Sequence, residues 1–163
     1  MSYIARDDRP ADKAECYAEV EAEILAVLDG EPNVTARMAT VASMLADAFP
    51  AFFWTGFYVV DPVKENELVV GPYQGTLGCL RIPFARGVCG AAAREQKTQL
   101  VEDVHAFAGH IACDSRSESE IVVPVFDAAK NLIAVLDVDA TEKAAFDAVD
   151  QTCLERLMAK VFA

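Results

Sequence analysis

Helical and strand periodicities are segregated along this chain, and that segregation decides what it can fold into. Tyr17, Val20, Ile24 and Leu28 recur at the spacing of one helix face and run out at Asp29-Gly30, where glycine can take the left-handed conformation that closes a helix. Val34, Met38, Val41, Leu45 and Ala48 repeat the pattern behind an Asn33 cap and stop before Pro50. Phe146, Val149, Cys153, Leu157 and Val161 predict a closing amphipathic helix. Between these ends the composition turns aromatic and β-branched: FFWTGFYVV from Phe52, a turn over 61–67, then LVVGPY, which predicts strand, turn and strand. Short strands are predicted at 80–83, 98–101, 120–126 and 132–138, with DAAKN as the hairpin connection between the last two and a short helix over 90–96. Strands in consecutive hairpins with helices gathered at the ends predict an α+β fold, a central antiparallel sheet of about six strands with helices packed on it.

A length of 163 residues, 53% of them hydrophobic, with 7 prolines and 8 glycines, predicts one compact domain over 1–163 with a single sizeable core. MSYIARDDRP has no apolar run and the longest apolar stretches are strand length, so the expectation is a soluble, cytoplasmic protein with no membrane partner. A net charge of -12, from 26 acidic against 14 basic residues, would repel phosphate backbones, and no Arg/Lys stripe is interleaved with aromatics, so nucleic acid is not an expected partner.

Cysteine placement carries the chemistry. Cys79, Cys89 and Cys113 fall in Gly-rich or polar stretches (QGTLGCLRIP, RGVCGAAA, GHIACDSRS), where loops bring thiols to solvent. A cytosolic chain keeps structural disulfides reduced, which leaves transient, catalytic disulfides as the use for such thiols, and the odd total of five speaks against a secreted disulfide scaffold. Cys153 lies on the apolar stripe of the last helix and Cys16 beside that of the first, so both read as small buried hydrophobes. Cys113 sits among Gly109, His110, Asp114, Ser115 and Arg116, and a neighbouring cation or turn amides would favour its thiolate. Cys89 stands at the start of the short helix, whose dipole would favour a thiolate, and Cys79 follows Gly78 in a loop; either could resolve an oxidised Cys113. Although His105 and His110 are near Cys113, there is no C-x-x-C pair and the cysteine intervals match no finger or ribbon, so no metal site is expected and the histidines read as structural.

On the strand from Phe52, Trp54 and Tyr58 share one face and Phe57 takes the other; their polar tips could wall a pocket for a small, partly apolar ligand. Asp137-Val138-Asp139 at the end of LIAVL puts two carboxylates on one face of the sheet, and Glu120 opens IVVPV. Like charges held close need a cation between them or a retained proton, so the cluster suits an ammonium group, with one carboxyl free to donate a proton.

Taken together, GPYQG, CLRIPFARGVCG, VEDVHAFAGHIACDSRSESEIVVP and AVLDVD resemble the free methionine-(R)-sulfoxide reductases, a single-domain branch of the GAF fold. The resemblance runs from about Trp54 to the closing helix. It implies that Cys113 is the catalytic thiol, that Cys79 and Cys89 recycle it with Cys79 the first choice, and that Glu120, Asp137 and Asp139 hold the substrate between the aromatic residues Trp54 and Tyr58. A nearby carboxyl group, with Asp139 the candidate, or a bound water would protonate the sulfoxide oxygen. It implies further that free methionine sulfoxide is the substrate, that no cofactor is used, and that a thioredoxin-like dithiol is the reductant. One departure is Ala85, where glycine is expected: a positive φ there would strain the loop carrying Cys89. The alternative reading is a non-catalytic GAF module that senses a small molecule. The aliphatic faces of the terminal helices leave room for a homodimer.

Overall fold

The structure is a computed structural model and describes residue 4 and residues 6–163. Asp12 and Asn33 open the first two helices, α1 (Lys13–Val27) and α2 (Val34–Ala48), each accepting a hydrogen bond from the backbone N–H three residues on. Gly30 takes the expected left-handed conformation (φ 75°), two residues past the Leu28 cap. The strands follow as β1 (Trp54–Val60), β2 (Glu67–Gln74) and β3 (Arg81–Pro83), then α3 (Gly87–Glu95), β4 (Gln99–Val101), β5 (Ser119–Phe126), β6 (Leu132–Ala140) and α4 (Ala148–Phe162). They form one antiparallel sheet of six strands in the order β3-β2-β1-β6-β5-β4. The hairpins β1-β2 and β5-β6 are local; the join of β1 to β6 is the long-range pairing that closes the sheet.

Alternation along the strands gives the sheet two apolar faces. Phe57, Ile121, Val123, Leu136 and Val138 pack under α1, α2 and α4, whose buried stripes include Val20, Ile24, Val41, Leu45, Leu154 and Leu157. Trp54, Tyr58, Val122 and Val135 face the other way, toward α3 and the loops, with Leu68, Ile82, Val88 and Ala92. At the end of the sheet where Gln74 leaves β2 and Val101 leaves β4, two loops cover this second face: 75–80 and 102–118. Among the described residues no helix is long and apolar enough to cross a membrane.

Two helix starts differ from the sequence reading. α3 begins at Gly87, three residues early, because the chain can turn into the helix at Gly87 itself (φ 71°), where an added Cβ would stand 3.2 Å from Ile111. Ala85 is not among the positive-φ residues, so the expected strain in this loop does not arise. α4 begins after Phe146, which turns into the core, and is opened by a capping box: Asp147 accepts from the backbone N–H of Val149 and Asp150, and Asp150 accepts from the N–H of Asp147.

Asp150 also ties α4 to α1. Its buried carboxylate accepts from the Tyr17 hydroxyl at 2.6 Å and from Lys13 Nζ at 2.7 Å. Replacing it strands a buried hydroxyl and removes the reciprocal half of the capping box, so Asp150→Ala is expected to lower unfolding free energy by about 2–4 kcal/mol in urea titrations, and Tyr17→Phe by about 1–2 kcal/mol.

Candidate functional site

Strand register assembles the site. Trp54 pairs with Asp139 across β1-β6, and Asp139 with Glu120 across β6-β5, so an indole and two carboxylates form one row on the α3 face. The next row is Gly56, Asp137 and Val122. Gly56 is obligatory there: a Cβ would lie 2.2 Å from Tyr73 Cβ and 2.8 Å from the Trp54 ring. Without it, Trp54 stacks between Tyr58 (5.6 Å between centroids) and Tyr73 (5.0 Å), and its indole N–H donates to the Thr76 carbonyl at 2.9 Å. Asp139 lies inside β6 rather than past its end, which holds both aspartates to the sheet's alternation as expected.

The two loops close over this face. Cys79 of the first and Cys113 of the second form a disulfide with Cα atoms 5.4 Å apart. Thr76 Oγ1 donates to Asp114 Oδ2 at 2.8 Å, a second tie between the same loops. Beneath lies a cavity of about 40 Å³ lined by Trp54, Tyr58, Cys89, Glu120, Asp137 and Asp139, with Cys113, His110, Ile111 and Ser117 at its wall. The eight predicted site residues therefore come together here, Trp54, Tyr58, Cys89, Cys113, Glu120, Asp137 and Asp139 in the lining and Cys79 through its disulfide.

Cys89 is a correction. It is neither a loop thiol nor exposed: it lies inside α3, 3% exposed, with its Sγ 3.9 Å from Glu120 Oε1. Burial, then the carboxylates of Asp137, Glu120 and Asp139, push its pKa well up, so it is a thiol where the helix dipole alone predicted a thiolate. Nor does Arg116 serve Cys113 as expected. It is held by Asp114, Nη2 to Oδ2 at 2.7 Å, and lies over the Phe53 ring. That pairing, with the Arg116 N–H and the Thr76 hydroxyl, keeps Asp114 well below the usual carboxylate range.

His110, read from the sequence as structural, lines the pocket. Its Nε2 stands 3.8 Å from Glu120 Oε2 in the pocket wall, whereas His105 is exposed beside Glu118. Burial lowers the His110 pKa, so its ring is mostly neutral at pH 7. No periodicity or spacing marks it; only the folding of loop 102–118 over Glu120 does.

Among the described residues, no lysine or arginine lines the cavity. Burial first, then mutual repulsion, raises Glu120 well above its ordinary pKa; burial and Asp137 do the same to Asp139, and burial pushes Asp137 up to about 6. Asp139 lines the cavity together with Cys113 and Asp114 of the covering loop. Asp137 Oδ1 is buried with no hydrogen-bond partner. A row of carboxyl groups beneath a disulfide, part protonated and lacking a cation, can accept an ammonium group and can give up a proton.

Comparisons place this geometry. A family model described as GAF domain matches residues 33–161. A GAF domain-containing protein A of Dictyostelium discoideum is 46% identical over 146 residues, covering 90% of each chain. The free methionine-R-sulfoxide reductase of Escherichia coli (strain K12) is 41% identical over 150 residues, 91% of this chain and 88% of that one. A crystal structure of free methionine-R-sulfoxide reductase from Neisseria meningitidis, in complex with its substrate, is 44% identical with a TM-score of 0.89, over 97% of this chain and 93% of that one. The fold is thus that of a GAF domain with a redox-active pocket, and the chain belongs to the free methionine-R-sulfoxide reductase family within it.

A carboxyl group that keeps its proton on folding lowers stability as pH rises from its unfolded pKa through its folded one, here from about 4 through about 6 for Asp137. Asp137→Asn is accordingly expected to be more stable than the parent by roughly 1–3 kcal/mol at pH 8 and no more stable at pH 4, measured by chemical denaturation at both.

Proposed function

We propose that the protein reduces free L-methionine (R)-S-oxide to methionine through Cys113. The observation that carries this reading is the Cys79–Cys113 disulfide set over the buried Glu120 and Asp137 and the half-buried Asp139, in a chain of this family. The Cys113 thiolate attacks the sulfoxide sulfur while the oxygen takes a proton; methionine leaves and Cys113 becomes a sulfenic acid. Asp139, whose raised pKa keeps it protonated and which lines the same cavity as Cys113, is the proton donor. Cys79 then condenses with the sulfenic acid, releasing water and forming the disulfide. A dithiol of thioredoxin type, with a potential of about -270 mV, reopens it by exchange and leaves as its own disulfide. Cys113 is exposed, Cys79 is half-buried, and exposed Leu77 and Leu80 flank Cys79, which gives a protein reductant an apolar approach to the bond.

The carboxylates account for the choice of a free amino acid. They would pair with its α-ammonium, which a methionine within a polypeptide lacks, and the two loops would exclude a chain. Trp54 and Tyr58 would hold the thioether end. In the disulfide state the cavity holds only a few water-sized groups, so substrate enters after reduction has untied the loops. Cys89, a thiol held between α3 and Glu120, supports the pocket and can take over disulfide exchange only by leaving its buried position. A sensor that merely binds would leave the disulfide without a use.

With dithiothreitol as reductant, the R epimer of free methionine sulfoxide should be consumed and a peptide-bound sulfoxide should not; equal turnover of both contradicts the reading. Cys113→Ser should abolish turnover, whereas Glu120→Gln and Asp137→Asn should raise KM by at least about tenfold, the cost of an unpaired ammonium in a buried site.

A further inference from the structure

The spacing of the cysteines and histidines in the chain rules out a closed zinc finger, yet the sheet assembles a different donor set from three separate segments. Cys89 Sγ from α3, a Glu120 oxygen from β5 and an Asp137 oxygen from β6 all lie within 4.8 Å of one another, and all three residues are buried. His110 Nε2 lies 3.8 Å from Glu120 Oε2 but outside this group of three. Asp137 Oδ1 is unpartnered, its residue is 6% exposed, and it lines the cavity. We propose that Cys89, Glu120 and Asp137 form a binding site for a thiophilic divalent cation of the zinc and cadmium class.

The chemistry fits on three counts. Thiolate and carboxylate are donors that such ions take, with water able to fill an open position. Donors on a tetrahedral zinc, at about 2.3 Å for sulfur and about 2.1 Å for oxygen, stand roughly 3.5 Å apart. The set needs to close by about an ångström, the direction in which a cation draws carboxylates that otherwise repel. The cavity has room for an ion and a bound water. Binding replaces the Cys89 S–H bond by a sulfur–metal bond and releases that proton to solvent. By contrast, the exposed group Asp103, His105 and Glu118 already has Lys143 Nζ 2.9 Å from Asp103. Cation and substrate ammonium would use the same oxygens, so each excludes the other; this consequence, unlike the site itself, rests on the function proposed above.

The test is a titration of the full chain in its Cys79–Cys113 disulfide form with cadmium chloride, without added thiol, following the ultraviolet thiolate-to-cadmium charge-transfer band. Only Cys16, Cys89 and Cys153 are then free to give one. The expected result is one cadmium per chain, a band lost in Cys89→Ser, kept in the Cys16→Ser/Cys153→Ser double variant, and an affinity at least about tenfold weaker in Asp137→Asn. Absence of a band in the parent, its survival in Cys89→Ser, its loss in the double variant, or an unchanged affinity in Asp137→Asn would each overturn the proposal. None of these readings depends on turnover.

Discussion

Antiparallel pairing of β6 with both β1 and β5 is the constraint on which the rest depends. It sets Asp139 between Trp54 and Glu120 and puts Asp137 one row behind, next to the hole left by Gly56. A slip of one residue in either pairing would turn these carboxylates toward the core under α1, α2 and α4. The register is secured from that side: Phe57, Leu136, Val138, Ile121 and Val123 fill the core and admit no alternative. The apolar face under the three helices therefore fixes a polar face that is costly in itself.

That cost has a use. Three carboxyl groups and a thiol in a pocket lined, among the described residues, by no lysine or arginine are all driven toward their protonated forms, and each awaits a positive partner. The terminal helices compensate elsewhere: Asp150, equally buried, has Lys13, Tyr17 and the α4 backbone around it. The contrast between a satisfied buried aspartate and an unsatisfied one separates scaffold from site more clearly than burial does. Above the pocket, the exposed disulfide and the Thr76–Asp114 hydrogen bond hold the two covering loops together, so redox state and access are coupled through the same two segments.

Much of this was legible in the chain. Asn33 as a cap, the Trp54/Tyr58 face against Phe57, the shared face of Asp137 and Asp139, and buried Cys16 and Cys153 all follow from periodicity, and the structure bears each out. Local hairpins and helices gathered at the ends led to the α+β sheet for the same reason. What failed did so where tertiary contacts decide. Cys89 lies in a Gly-rich segment that reads as a loop, but Gly87 starts the helix early and Gly90 lets it pack within reach of the carbonyls of Pro83 and Phe84, which takes the thiol inside. His110 and the partner of Arg116 depend on the path of loop 102–118, which no period encodes.

The central claim is that Cys113 and Cys79 exchange electrons with a free methionine sulfoxide held by the carboxylate row. It is tested most directly in a single turnover, with pre-reduced protein, excess (R)-sulfoxide and no other reductant. The account predicts about one methionine released per chain, a mass lower by two hydrogens, and a disulfide mapped by peptide analysis to Cys79 and Cys113. Methionine released without loss of those two thiols, or no methionine at all, would contradict it.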